Sequence, residues 1–199
     1  MLPSEKHQKK RVSSEALFIG KIGQCVCDDF ITVIRDTRAD MAQKVYITMT
    51  GVSKWPVLNS LWAAICCNGF FPDRIYLFVT KGRESDGALL AEWIATLTEA
   101  YGKRVDPIIK QIDEGEFASS GKKITAVMDE ERSFGSEIAI DITPGRKAII
   151  SSALLSAVQK QVDHVFYLYL EDMRNSNNPY PMIPFHLQHF VDLKEEVWK

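Results

Sequence analysis

Apolar residues along the chain follow two alternating periodicities, which predicts strands and helices in turn. The run at 73–80 is almost continuously apolar, as is typical of a strand buried on both faces of a sheet. Longer segments with apolar residues at helical spacing separate such runs. The predicted order is strand 45–50, helix 56–68, strand 73–80, helix 86–101, strand 105–112, helix 122–132, strand 138–142, helix 148–161 and strand 165–170.

Strands that alternate with helices predict an α/β fold, here a Rossmann-like three-layer sandwich with a mainly parallel sheet. Pro107 places its strand near a sheet edge or delays pairing until after the proline. Residues 1–14 are expected to be a flexible basic N-terminus, and 15–40 a β-hairpin appendage. Residues 173–199 are expected to be a loop followed by a short C-terminal helix, from about 184 to 198.

The strongest functional signal is a set of loops that follow predicted strands. In an open parallel sheet, ligands bind beyond the carboxyl ends of the strands, so the loops at 50–55, 80–85 and 143–147 are expected to converge. Basic side chains, a glycine turn and a helix N-terminus suit an anionic, phosphate-bearing ligand. Ordinary turns with solvated basic residues are the alternative interpretation. The candidate residues are Thr50, Gly51, Ser53, Lys54, Trp55, Thr80, Lys81, Arg83, Thr143, Pro144, Gly145, Arg146 and Lys147.

Composition narrows the classes of partner. A formal net charge of −2 argues against a surface that coats long nucleic acid, and no apolar run is long enough for a membrane span. The N-terminus lacks the apolar region of a signal peptide, and the cysteines lack zinc-ribbon or redox spacing, so we expect a cytoplasmic protein. Dinucleotide and Walker motifs are absent, so no cofactor is expected. His186 and His189 lack an evident third ligand, so no metal site is expected.

Two of the loops resemble motifs of the CARF family, the CRISPR-associated Rossmann-fold domains. The segment 141–147, Asp-Ile-Thr-Pro-Gly-Arg-Lys, is similar to that family's Asp-x-Thr-Gly-Gly-Thr-Lys loop. The segment 48–56 resembles its first-strand loop, a glycine-serine turn that runs into a proline-started helix. The similarity covers 45–172, which is expected to be a CARF-like Rossmann domain. Pro144 and Arg146 depart from the family pattern, which has glycine and threonine there.

The resemblance implies a homodimer in type III CRISPR signalling, with a cyclic oligoadenylate, tetra-adenylate favoured, lying across both copies of the central loop. Two activities remain open. A ring nuclease would cut the messenger without metal, by attack of a ribose 2′-hydroxyl on the adjacent phosphate. A non-catalytic sensor would pass the signal to a partner or to a missing effector domain.

The resemblance also implies roles for single residues of the nuclease. Lys147 would stabilise the developing negative charge, and Ser53 would orient a phosphate or a ribose. Arg146 joins them because of its charge and position. Trp55 is expected to be exposed in its loop, where it could pack against adenine. The other candidate residues of the three loops would contact the ligand.

Overall fold

The computed structural model describes residues 42–113, 115–160 and 162–197. The predicted flexible N-terminus and the β-hairpin appendage lie outside the described residues. The elements, in chain order, are β1 (Lys44–Met49), α1 (Trp55–Asn68), β2 (Arg74–Thr80), α2 (Glu84–Ala100), β3 (Ile108–Ile112), α3 (Phe117–Ser133), β4 (Glu137–Asp141), α4 (Lys147–Lys160), β5 (His164–Leu170), three short 3-10 turns (Met173–Asn175, Tyr180–Met182 and Phe185–Leu187), β6 (Gln188–Asp192) and α5 (Leu193–Val197).

The strands of the described segments form one six-stranded sheet in the order β3-β2-β1-β4-β5-β6. Strands β1 to β5 are parallel to their neighbours, and β6 is antiparallel to β5. From β1, near the centre of the sheet, the chain builds outward through β2 and β3 and then crosses back to β4. The predicted Rossmann-like, mainly parallel α/β fold is therefore confirmed.

Two apolar clusters show why the sheet needs helices on both faces. Tyr46 of β1 packs with α1 and α2 in one cluster, whereas Ile47 packs with α3 and α4 in the other. Successive residues of a strand point to opposite faces, so a strand in the middle of such a sandwich must be apolar throughout. This is why strand 73–80 is almost continuously apolar.

Two local signals in the sequence are confirmed at the ends of elements. Pro56 lies in the first turn of α1, where its missing N–H costs no helical hydrogen bond. Gly69 ends the same helix with φ of +68°, a conformation that glycine adopts readily. Strand β3 starts pairing only after Pro107 and lies at the edge of the sheet, as predicted.

The predictions for the C-terminal segment and for two helix starts need correction. The expected helix at 184–198 is instead strand β6 followed by the short helix α5, so β5 is not the last strand. Strand β6 pairs with β5, and the ring of Phe190 lies 5.1 Å from that of Phe166 in the core. Helix α2 begins at Glu84, whose carboxylate accepts a hydrogen bond from the Gly82 N–H at 3.0 Å. Helix α3 begins at Phe117, before the predicted start.

A buried carboxylate fastens α3 to the sheet and generates a stability prediction. Glu131 is 0% exposed and accepts hydrogen bonds from the hydroxyls of Tyr76 at 2.6 Å and Ser136 at 2.9 Å. The guanidinium of Arg74 pairs with the same carboxylate. Burial opposes the charged form, but these hydrogen bonds hold the pKa of Glu131 below its ordinary value. The resulting stability is present above the ordinary pKa and is lost as the pH falls through the lower folded pKa.

We expect Glu131→Ala to lower the free energy of unfolding by about 1–3 kcal/mol at pH 7, because it leaves the buried hydroxyls of Tyr76 and Ser136 without their acceptor. Urea denaturation measures the change, and Glu130→Ala, at the exposed neighbouring position, is the matched control. Equal midpoints for the two variants would contradict the assignment.

Candidate functional site

The strand order reverses between β1 and β4, so the loops that follow these strands meet at the carboxyl edge of the sheet. The two backbones touch there. A Cβ atom on Gly51 would lie 3.0 Å from the backbone nitrogen of Gly145 and 3.7 Å from the Cα of Pro144. The loop contact therefore leaves no room for a side chain at Gly51.

Gly145 is required by its conformation as well as by its surroundings. Its φ is +104°, a region that favours glycine, and a Cβ there would lie 2.7 Å from the side chain of Met49. Both glycines are thus required by packing, Gly51 against the third loop and Gly145 against the buried Met49 of β1. The two loops are held in direct backbone contact as a result.

A buried carboxylate lies directly beneath the two loops. Asp141, the last residue of β4, is 0% exposed and accepts hydrogen bonds from the hydroxyls of Thr48 at 2.9 Å and Ser60 at 2.8 Å. Its third donor is the backbone N–H of Thr143, at 2.9 Å. The Thr143 hydroxyl in turn accepts from the Leu168 N–H at 2.8 Å. One network therefore links β1, α1, β4 and β5 under the candidate site.

Several predicted ligand residues are instead bonded within the protein. Arg83 donates to the carbonyl oxygens of Gly51 at 3.0 Å and Val52 at 3.4 Å, which ties the first loop to the start of α2. The ammonium of Lys54 lies 2.9 Å from Asp86, on the same helix. These two cations position the loop.

The remaining residues of the second predicted loop also have partners. Lys81 pairs with Asp113 at 3.0 Å, after β3, and so turns away from the contact between the first and third loops. Thr50 and Thr80 are buried, and the Thr80 N–H donates to the Thr50 hydroxyl at 3.2 Å. The 80–85 loop thus supports the first loop through hydrogen bonds.

Trp55 differs from its expected placement. It is the first residue of α1, half-buried, and its ring centroid lies 4.9 Å from that of Trp93. The prediction of an exposed aromatic residue in the loop is therefore wrong. Trp55 is partly covered because its ring packs against that of Trp93 on α2.

The third loop places charge at the surface. Pro144 is buried, whereas Arg146 and Lys147 are exposed, and Lys147 is the first residue of α4. Within the described part of the chain, the Lys147 ammonium pairs with no carboxylate. A cation at the start of a helix is unfavourable next to the positive end of the helix dipole unless an anion binds there.

One contact at the site was missed by sequence reasoning. The Ser53 hydroxyl donates to Oδ1 of Asn177 at 3.0 Å, so the segment after β5 forms a further wall beside the first loop. The signal was available, since 175–178 is a polar run that follows the carboxyl end of a core strand. His189, considered as a metal ligand, pairs with Glu171 at 2.8 Å. Among the described residues, no group of three or more His, Cys, Asp or Glu side chains could hold a metal ion.

Comparison with known proteins identifies the fold. No protein family and no curated protein matches the sequence. Enterococcus italicus Csm6 bound to cyclic hexa-2′-fluoro-hexa-dAMP matches 78% of this chain and 43% of its own, with 16% identity and a TM-score of 0.54. Can2 from Sulfobacillus thermosulfidooxidans in complex with cyclic tetra-adenylate matches 67% of this chain and 33% of its own, with 14% identity and a TM-score of 0.47.

The similarity to Csm6 shows that this chain has a CARF-like fold, as the motif resemblance predicted. The chain spans less than half the length of either matched structure. No helix in the described segments is both long and apolar enough to span a lipid bilayer.

The network beneath the site predicts a pH effect. Burial raises the pKa of Asp141 to about 6, although hydrogen bonds from Thr143, Ser60 and Thr48 lower it. Because the folded pKa lies above the ordinary value of about 3.9, the contribution of Asp141 to stability is greatest below that value and falls as the pH rises to about 6. The expected loss is about 2–3 kcal/mol.

We expect Asp141→Asn to abolish this fall, because an amide does not ionise. Urea denaturation between pH 4 and pH 8 gives the free energy of unfolding of both proteins. The wild-type value minus that of the variant should fall as the pH rises. Glu196→Gln, an exposed substitution of the same type in α5, serves as the control. Parallel curves for wild type and Asp141→Asn would rule out the raised pKa.

Proposed function

We propose that this protein binds a cyclic oligoadenylate between two copies of the chain and cleaves it without a metal ion, as a ring nuclease of type III CRISPR signalling. The observation that carries the proposal is the contact between the Gly51 and Gly145 loops, beside the exposed Lys147 at the start of α4. Further support is the CARF-like fold shared with a Csm6 bound to cyclic hexa-2′-fluoro-hexa-dAMP.

The charges at the site suit phosphate groups. The first turn of α4 begins directly after the contact between the two loops, and its free N–H groups are suited to a phosphodiester. Lys147 and Arg146 add positive charge at the surface of this turn. A bound phosphate would also relieve the unfavourable position of Lys147 at the positive end of the helix dipole.

The symmetry of the ligand supports a homodimer. A ring of identical nucleotides has its own rotational symmetry, which matches an interface formed by the same surface on two copies. Val52, in the first loop, is 82% exposed. An apolar side chain this exposed beside the site is the kind that a second copy or a ligand would cover. Cyclic tetra-adenylate is the favoured ring.

The proposed reaction consumes no co-reactant. The 2′-oxygen of a ribose attacks the adjacent phosphorus, the bond from phosphorus to the 5′-oxygen breaks, and a 2′,3′-cyclic phosphate forms. The 2′-hydroxyl loses its proton and the departing 5′-oxygen gains one, so protons balance. Lys147 stabilises the charge that develops on the phosphate, Arg146 adds to this field, and Ser53 orients the ligand.

We expect Lys147→Ala to lower the turnover of cyclic tetra-adenylate about 100-fold, because it removes the cation that stabilises the developing charge. Its affinity for the ring should fall about 10- to 100-fold, since a charged hydrogen bond to phosphate contributes about 1.5–3 kcal/mol. Chromatography of products and a fluorescence titration measure the two effects. Lys110→Ala, at an exposed position on the edge strand β3, is the matched control. Wild-type turnover and affinity in Lys147→Ala would remove the central assignment.

We expect cleavage to continue in excess EDTA, because the attacking group belongs to the substrate and the charge is met by protein cations. Cyclic tri-, tetra- and hexa-adenylate are incubated with the pure protein, with and without the chelator, and the products are separated. A mobility shift without products would assign the protein as a non-catalytic sensor. Loss of cleavage in EDTA would instead direct attention to the acidic and histidine side chains near Glu171.

A further inference from the structure

We propose that Asn177 is a positioning residue that makes Ser53 a hydrogen-bond acceptor, so that Ser53 binds a ribose 2′-hydroxyl of the ligand. The inference rests on the proposed function and specifies which part of the ring Ser53 contacts. It starts from one bond, in which the Ser53 hydroxyl donates to Oδ1 of Asn177 at 3.0 Å. The two residues are 124 positions apart, so only the fold brings them together.

The segment that carries Asn177 is fixed on both sides. The carbonyl oxygen of Asn178 accepts a hydrogen bond from Nδ2 of Asn59 at 2.8 Å, and Asn59 is 1% exposed on α1. The Asn178 side chain donates to Oδ1 of Asn175 at 3.2 Å. Helix α1 therefore holds the backbone next to Asn177, and the same helix begins directly after the loop that contains Ser53. Asn177 and Ser53 are placed relative to each other by one rigid element.

The next residues anchor the segment further. Pro179 is buried, and the ring of Tyr180 lies 6.5 Å from that of Trp62 in the core. The Tyr180 hydroxyl lies 3.1 Å from the thiol of Cys67, also on α1. Before Asn177, the Asp172 carboxylate accepts from the backbone N–H of Arg174 at 3.0 Å. The Asn177 amide is thus presented from a constrained turn.

The position of the single hydroxyl proton decides what Ser53 can bind. A serine hydroxyl has one proton to donate and two lone pairs that accept. With its proton directed at Asn177, Ser53 offers only lone pairs to a ligand. A phosphodiester oxygen is itself only an acceptor and does not match, whereas a ribose 2′-hydroxyl is a donor and does. The structure thus favours the ribose over the phosphate as the partner of Ser53.

The two sides of the loop contact therefore bind different parts of the ligand. Lys147 and the peptide groups of the third loop bind the phosphate, and Ser53 binds the ribose. A 2′-hydroxyl that donates to Ser53 has its proton directed away from the phosphorus. Its lone pairs are then free to face the phosphate that it attacks. Ser53 and Asn177 orient this hydroxyl and transfer no proton.

The test combines protein variants with a change in the ligand. Affinities for cyclic tetra-adenylate and for its 2′-deoxy analogue are measured for wild type, Ser53→Ala and Asn177→Ala, with Asn68→Ala as control. Asn68 is exposed at the far end of α1. The ratio of the two affinities isolates the contribution of the 2′-hydroxyl, because effects common to both rings cancel.

We expect wild type and Asn68→Ala to prefer the ribose ring by about three- to tenfold, the contribution of a net hydrogen bond. Ser53→Ala and Asn177→Ala should both reduce this preference to about onefold. Asn177→Asp keeps the acceptor but adds a negative charge, so it should bind both rings more weakly and keep the preference.

The remaining outcomes separate the two proposals. If Asn177→Ala weakens both rings equally, or weakens neither, the positioning role is overturned while ligand binding stands. If Ser53→Ala keeps the preference for ribose, Ser53 does not contact the 2′-hydroxyl and the inference fails. If wild type binds neither ring, the proposed function fails first, and the inference fails with it.

Discussion

The arrangement of this site depends on one buried carboxylate. Asp141 accepts three hydrogen bonds, from Thr48 on β1, Ser60 on α1 and the Thr143 N–H, and the Thr143 hydroxyl extends that network to β5. A carboxylate without such donors would be costly in an apolar core. One carboxylate thus bonds both to Thr48 of the neighbouring strand β1 and to the backbone of the third loop. The alignment of β4 with β1 therefore helps to fix the path of that loop. Lys147 begins the helix that follows this loop, so its position depends on the same hydrogen bonds.

The cations around the site divide into two kinds by their partners. Arg83 donates to the Gly51 carbonyl of the first loop, and both Arg83 and Lys54 pair with Asp86. Their charges are therefore largely neutralised within the fold. Lys147 projects from the first turn of α4 and pairs with no carboxylate in the described segments. The paired cations give the loops a fixed shape. The charge of Lys147 marks the position at which a bound anion would be stabilised most. This division is electrostatic preorganisation, in which the protein orients its groups before the ligand arrives.

Much of the fold could be predicted from the sequence because its signals are local. The apolar run at 73–80 and the helix signals at Pro56 and Gly69 each concern a few neighbouring residues. Strand β6 was missed because its pairing with β5, and the contact of Phe190 with Phe166, are tertiary.

The same distinction explains the site. Residue types at strand ends predicted that the loops after β1 and β4 meet, since carboxyl ends of parallel strands lie at one edge of the sheet. Sequence alone could not show that Lys54 is paired 32 positions away, or that Ser53 reaches a residue 124 positions away. Trp55 was placed in solvent because a loop position gives no information about Trp93.

The contact between Gly51 and Gly145 restricts how such a site can diversify. Neither position tolerates a side chain, so this contact beneath the candidate site is closed to substitution. Under the proposed function, adaptation to rings of another circumference must therefore come from exposed side chains around the contact, such as Val52 in the first loop. The contact itself would stay constant while those side chains changed.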